Sequence, residues 1–503
     1  MLKLKRARRI AAAIFFLLVT LLFLDFTGVA HLWLGGLAKI QLVPAILAVN
    51  VIIIVVLAGL TLLFGRVYCS VICPLGVMQD GISFVSGKRK RKKNRFRYSG
   101  AVSWLRYAVL GLFILAPVAG IPVVFAFLDP YSAYGRIAAN IFTPVYRWGN
   151  NLLAWFAERA DSYAFYSTDV WIKSWIVFGA TVLTLVLVGI LAWRNGRAYC
   201  NTVCPVGTFL GFLSRVSLFS PAFDTEKCTR CGVCAGNCKS SCIDSKRMTI
   251  DRSRCVVCFN CLDKCKFGAM KYERRKLGKA ATPLTETTAK AQDGGLTRPA
   301  FLSIAGLFAV THILKAQQLH VDGGLAVIEK KKRPGRKTAV IPPGAQSLRN
   351  MNDHCTACQL CVSACPNHVL RPSGKLSTLM QPEMTYEDGY CRPECTECSQ
   401  VCPAGAIRPV TVPGKTGIAI GQAVWIRENC IVNTDGVQCN ACRRNCPTGA
   451  IMLVARDPEP GDSLKIPAVD KELCIGCGAC EHLCPARPFS AIYVEGYTRH
   501  HEV

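Results

Sequence analysis

Six runs of four cysteines constrain this chain more than any other feature of its 503 residues. Cys228, Cys231, Cys234 and Cys238 read C-x2-C-x2-C-x3-C. The same spacing recurs at Cys255, Cys258, Cys261, Cys265, at Cys355, Cys358, Cys361, Cys365, and at Cys474, Cys477, Cys480, Cys484. Cys391, Cys395, Cys398, Cys402 add one residue to the first gap, and Cys430, Cys439, Cys442, Cys446 widen it into a loop. In the bacterial ferredoxin spacing the first three thiolates grip one [4Fe–4S] cube and the fourth reaches the neighbouring cube. Only soft thiolates suit such iron sites. Structural zinc prefers well-separated C-x2-4-C knuckles, and disulfide frameworks belong to small secreted domains. The expectation is therefore six [4Fe–4S] clusters, two in one module and four in another.

Half the chain is apolar, and the apolar residues are bunched. Ile10–Leu34, Ile40–Phe64, Ala101–Leu128 and Trp171–Trp193 each exceed the ~20 residues that cross a ~30 Å hydrocarbon core. They carry almost no charge. Four transmembrane helices are predicted. The net charge of +28 is not spread evenly: residues 345–503 hold slightly more acids than bases. The excess lies at Lys3, Lys5, Arg6, Arg8, Arg9 and in the run Lys88–Arg97, beside the apolar segments, whereas the 129–170 loop is balanced. This is the positive-inside pattern. It places the N-terminus, the 65–100 loop and the segment after Trp193 in the cytoplasm. A nucleic-acid partner is not expected, because such a run more readily anchors on anionic lipid. The first helix lacks a small-residue cleavage site and is expected to stay as an anchor.

GRVYCSVICPLG after the second apolar segment returns as GRAYCNTVCPVG after the fourth, offset by 131 residues. Cys69 and Cys73 thus match Cys200 and Cys204. At i, i+4 each pair would share a helical face. If the halves pack together, four thiols converge. They would form a metal or cluster site or a redox dithiol; the alternative is a pair of helix-ending turns with buried thiols. Arg66 and Arg197 beside them favour thiolate. Asp25 and His31 are the only ionisable side chains of the first helix after Arg9. Such groups in membranes are commonly functional, and this pair is the candidate acceptor of quinol protons, the alternative being interfacial residues that reach water. No C-x-x-C-H and no nucleotide fingerprint occurs, so haem, flavin and nicotinamide are not expected.

The paired corners, four helices and following two-cluster module over residues 1–275 resemble the NapH/MauN/NosR-type polyferredoxin membrane proteins. The segment after Ile341-Pro342-Pro343-Gly344 resembles NapG/MauM-type ferredoxins. The fold class implied is an α-helical polytopic membrane domain with two α+β bacterial-ferredoxin-like modules. Its parts are a membrane domain (1–215), a two-cluster module (220–275), a linker (276–344) with a short hydrophobic segment at 300–315, and a four-cluster module (345–503). The resemblance implies a bacterial inner-membrane protein. It would oxidise quinol from the quinone pool and pass electrons to a periplasmic redox protein or reductase. The alternative is an accessory electron donor or metal reductase that matures or reactivates a metalloenzyme. The two-cluster module is expected in the cytoplasm and the four-cluster module in the periplasm. Thr297–Leu302 resembles a twin-arginine export signal with Pro299 in place of the second arginine. Against export, Lys330–Arg333, Arg336 and Lys337 follow it. Lys239 and Lys266 stand where the family has proline, and Cys242 is expected to be a bystander or a substitute ligand. Cluster motif symmetry pairs Cys238 with the 255 group and Cys265 with the 228 group. In the C-terminal module the resemblance implies that the first and fourth groups exchange Cys365 and Cys484, and the middle groups Cys402 and Cys446.

Overall fold

The computed structural model describes residues 2–25, 28–90, 96–168, 170, 172–275, 329–456 and 464–503. The 300–315 hydrophobic segment, the export-signal resemblance at Thr297–Leu302 and most of the linker lie outside them. The N-terminal part is helical: α1 (Leu2–Leu24), α2 (Val29–Leu34), α3 (Gly36–Lys39), α4 (Leu42–Leu47), α5 (Val51–Phe64), α6 (Val67–Val71), α7 (Pro74–Lys90). After these come α8 (Ser103–Val118), α9 (Val123–Leu128), α10 (Pro130–Ile137), α11 (Thr143–Arg159), α12 (Trp175–Asn195), α13 (Ala198–Thr202) and α14 (Pro205–Ser214).

Among the described residues, two helices are long and apolar enough to cross a membrane: Lys3–Leu24 of α1, and α12. The other two expected spans are interrupted. Between α4 and α5, Val49 takes φ 52° and Asn50 Oδ1 caps α5 by accepting from Ile53 N at 3.3 Å. An asparagine favours such a cap over helix interior. Between α8 and α9 the chain runs through Gly120 and Pro122, and Pro117 already stands in the last turn of α8. Proline lacks the donor that a continuing helix needs. Leu17, Ile52, Val55, Ile114, Leu115, Leu183 and Leu187 are all exposed, so the outer faces of α1, α5, α8 and α12 are apolar.

The 129–170 stretch, expected as an outer loop, folds back inward. Asp129 caps α10, accepting from Tyr131 N and from Ser132 N at 2.9 Å, with Pro130 at the first helical position. Every residue of α10 is buried. A π-helical turn, Ala138–Phe142, joins it to α11.

Both ferredoxin-like modules are built from short two-stranded antiparallel ladders. In the first, β1 (Phe219–Phe223) pairs with β4 (Met270–Arg274), and β2 (Ile243–Asp244) with β3 (Thr249–Ile250). Two small helices, Val233–Gly236 and Asn260–Lys264, follow the cysteine turns. In the second, β5 (Leu370–Pro372) pairs with β6 (Pro382–Met384), β8 (Ile451–Ala455) with β9 (Lys465–Val469), and β7 (Ile418–Trp425) with the long β10 (Ile492–Glu502). Two-stranded ladders are marginal by themselves; buried cysteines fill much of each small core.

The two modules dock at opposite ends of the long helices. At one end, Lys5 of α1 pairs with Asp263, and Lys239 O accepts from Arg197 N, just past α12, at 2.9 Å. At the other end, Thr143 Oγ1 donates to Phe23 O of α1 at 3.0 Å. Beside it Asn140 Nδ2 donates to Gln359 Oε1 at 2.7 Å, and a Cβ on Gly374 would meet Ile176 of α12 at 3.3 Å. The contacts on α1 at the two ends, Lys5 and Phe23, are 18 residues apart, roughly 27 Å at ~1.5 Å per residue.

Candidate metal centres

The cysteine turns use left-handed backbone to bring three sulfurs round one point: Arg230, Val257, Phe259, Ala357 and Gln359 all have positive φ. Cys261 lies beside Cys258, Cys255 and Cys238; burial first, then those neighbours, push its thiol well up. A cavity is lined by the same four cysteines and by Cys242. This agrees with the expected exchange of Cys238. Cys228, Cys231 and Cys234 gather separately, with burial pushing Cys234 up to about 11. Cys265 packs on the apolar cluster between the groups.

Cys242 lies against one quartet rather than apart from both. Its sulfur lies 3.5 Å from that of Cys238. The hydrogen bond from Cys242 outweighs burial and holds the Cys238 thiol down to about 7. Cys242 also bonds Cys255. It therefore sits against two sulfurs of one quartet. The spacing K-S-S-C after Cys238 was the only sequence trace of it.

The C-terminal pairing differs from expectation. Cys361 neighbours Cys358, Cys355 and Cys402. Cys365 lines one cavity with Cys391, Cys395 and Cys398. Cys446 lines another with Cys474, Cys477 and Cys480, and Cys484 a third with Cys430, Cys439 and Cys442. The exchange is first with second group and third with fourth. Groups adjacent in sequence fold into one two-fold unit, closing short loops at the lower entropic cost. Burial pushes the Cys358 and Cys477 thiols up to about 12. Among the described residues no three His, Cys, Asp or Glu side chains close to the spacing of a single metal ion.

At the duplicated corners the chain bends between the two cysteines. The helix holding Cys69 ends at Val71, and the helix holding Cys200 ends at Thr202. Cys204 is extended and caps α14, its sulfur accepting from Gly207 N at 3.3 Å. The residue before proline avoids helical backbone, so Pro74 and Pro205 break the shared helical face expected from the spacing. All four thiols are 4% exposed. Burial pushes Cys73, Cys200 and Cys204 up; the Cys204 thiol also feels Cys200, Cys69 and Cys73. The four do converge.

Asp80, unremarked in the sequence, is the hub below them. Its carboxylate meets Arg197 Nε at 2.9 Å, Arg8 Nη1 at 3.2 Å and Lys239 Nζ at 3.3 Å. Lys239 thus stands where proline was expected because its ammonium docks the two-cluster module onto the corner. The halves also approach closely. A Cβ on Gly76 would lie 2.6 Å from Arg197 Nη1 of the other half, and one on Gly207 would lie 2.6 Å from Arg66 Nη2. Gly76→Ala and Gly207→Ala should each destabilise the chain by about 1–3 kcal/mol, read as a lower midpoint of thermal unfolding in lipid nanodiscs.

At the far end of α1, Asp25 and His31 form a pair, Oδ2 to Nδ1 at 3.2 Å. The carboxylate also accepts from Gly28 N at 3.1 Å and Ala30 N at 2.8 Å. Both side chains are buried, unlike the water-reaching residues of the alternative reading. His31 Nε2 has no hydrogen-bond partner among the described residues.

Residues 46–93 and 175–224 each match a family model described as a 4Fe-4S binding domain. Residues 354–406 and 437–487 each match one described as a 4Fe-4S dicluster domain. Over 167 residues the chain is 33% identical to the methylamine utilization ferredoxin-type protein MauM of Methylobacillus flagellatus, covering 32% of this chain and 70% of that protein. It is 32% identical over 176 residues to the ferredoxin-type protein NapG of Escherichia coli, covering 32% and 75%. The ferredoxin-type protein NapF of Escherichia coli is 29% identical over 160 residues, covering 31% and 87%. No solved structure matches.

Proposed function

The chain belongs to the family of ferredoxin-type iron–sulfur proteins that includes MauM and NapG, and on that premise we propose that it is a multi-pass membrane protein oxidising quinol. The electrons go to a redox protein or reductase on the periplasmic side. In this reading a NapH/MauN/NosR-type membrane half and a NapG/MauM-type half share one chain. One observation carries it: the two ferredoxin modules dock at opposite ends of both long apolar helices. The basic N-terminus sits with the two-cluster module, which the positive-inside rule makes cytoplasmic. The four-cluster module then faces the periplasm. The apolar outer faces of the helices support a lipid setting. So does α11, whose Trp148, Leu152, Trp155 and Phe156 are exposed, as aromatics at a bilayer interface are.

Six [4Fe–4S] clusters, when bound, supply one-electron redox chemistry over a wide range of potential. The chain's own residues hold and shield them, each quartet contributing its four thiolates. Quinol oxidation sheds two electrons and two protons. The buried Asp25–His31 pair, beside the end of α1 that meets the four-cluster module, takes the protons one at a time: His31 Nε2 accepts the first and releases it to water before accepting the second, with Asp25 orienting the ring through Nδ1.

The test uses the full chain in nanodiscs with a menaquinol analogue. Bleaching of the visible iron–sulfur absorption is expected. Asp25→Asn should slow that bleaching about 100-fold while leaving reduction by dithionite unchanged. Clusters that stay oxidised with quinol but accept electrons from a cytoplasmic ferredoxin would favour the accessory donor role. Iron analysis near eight rather than ~24 per chain would sink the six-cluster count.

A further inference from the structure

We propose that Cys69, Cys73, Cys200 and Cys204 together bind one further iron–sulfur cluster, with two thiolates from each half and Arg66 and Arg197 as its counter-charges. The two segments matched as 4Fe-4S binding domains contain only these cysteines, two apiece. A cube takes four thiolates, so neither segment suffices alone. Packed together as they are, they supply one set.

The arginines identify the occupant as an anion. Arg66 and Arg197 are 0% exposed. Each crosses to the opposite half: Arg66 Nη2 donates to Cys200 O at 3.1 Å, and Arg197 Nη1 to Cys69 O at 2.7 Å. Each also turns a nitrogen toward a sulfur of its own half, Cys69 Sγ at 3.7 Å and Cys200 Sγ at 3.8 Å. Gln79 Nε2 adds a donor 3.3 Å from Cys200 Sγ. Arg66 has Asn201 Oδ1 and Ser253 O as further acceptors, but no carboxylate. Arg66 Nε and Arg197 Nη2 lack any hydrogen-bond partner among the described residues. Asp80 is one carboxylate shared by three cations. A buried cation without counter-charge is strongly disfavoured, and the thiols are the nearest groups able to supply one. With four neutral thiols Arg66 has no counter-charge, and Arg197 has only a carboxylate that it shares with Arg8 and Lys239. Four thiolates round a doubly positive iron–sulfide core make a dianion, which two guanidiniums balance. Binding releases the four thiol protons.

The experiment counts cores by native mass spectrometry of the full chain, loaded anaerobically with iron and sulfide in nanodiscs. Wild type should carry one core beyond those held by the ferredoxin quartets. Cys69→Ser/Cys73→Ser and Cys200→Ser/Cys204→Ser should each lose one core. Combining them should lose no more, because the core is shared. Arg66→Gln should keep the core but lower its midpoint potential. Unchanged core counts in the corner variants would overturn the proposal. So would a second core lost on combining them, a single zinc ion in place of the core, or a wild-type mass short by the hydrogens of a disulfide. If the variants do not insert, the wild-type chain decides: a core count equal to that of the ferredoxin quartets, with no further core, overturns the proposal. The ferredoxin cores are counted in the same spectra, so their loss would count against the iron–sulfur reading itself and is told apart from failure at the corners.

Discussion

Asp80→Asn should cost about 3–5 kcal/mol of stability, as removal of one partner from a buried ionic cluster does. The substitution leaves Arg197, Arg8 and Lys239 facing one another across a neutral amide. The sign of the pH dependence follows from the carboxyl. Burial alone would push it up, but Arg197, Lys239 and Arg8 outweigh burial and hold it well below the usual carboxylate range. A depressed acid contributes its full stabilisation above its unfolded value, near ~3.9, and loses it as pH falls through the folded value. The difference between wild type and Asp80→Asn should therefore stay level from about pH 5 upward. It should narrow only in stronger acid. Thermal unfolding of both chains in nanodiscs across that range reads it directly; a gap that closes near neutrality would show that another group controls the junction.

Cys402→Ser should remove the core held with Cys355, Cys358 and Cys361. The informative measurement is the double variant. Cys402→Ser/Cys355→Ser strikes one quartet twice and should lose a single core by native mass spectrometry. Cys402→Ser/Cys474→Ser strikes two quartets and should lose two. An exchange of Cys365 with Cys484, and of Cys402 with Cys446, would give two losses in both. The same reasoning covers Cys446→Ser, which should act with Cys474 rather than with Cys391.

The candidate ligands were legible because cluster chemistry dictates local spacing: in five of the six groups the first three thiolates fall within a window of ten residues, and only the Cys430 group opens its first gap into a loop. Which fourth cysteine serves which trio is a long-range matter. The spacing alone does not encode it, and in the C-terminal module the order of groups along the chain proved the better guide. The 131-residue duplication was equally plain, and the convergence of its thiols follows from it. The arginine exchange across the halves does not, because Gly-Arg before a corner reads the same whether the guanidinium turns to its own half or to the other. Asp80 escaped notice because a lone aspartate after an apolar turn resembles any solvated helix residue; only the arrival of three cations from distant segments gives it a role. The Asp129–Pro130 pair did carry a helix-start signature. Full burial of α10 lay in its tertiary neighbours, which no local pattern records.

The crossing of Arg66 and Arg197 also sets an order of manufacture. Each corner leans on a backbone carbonyl of the other, and the two are separated by more than a hundred residues of chain that emerge later from the ribosome. The first corner is therefore born with its guanidinium unanchored, and it is finished only when Cys200 has been threaded into place. Ser253 O, which also receives Arg66, comes later still. The joint therefore has all its partners only once the chain has been made through Ser253, and a chain interrupted before that point leaves the first corner half-joined.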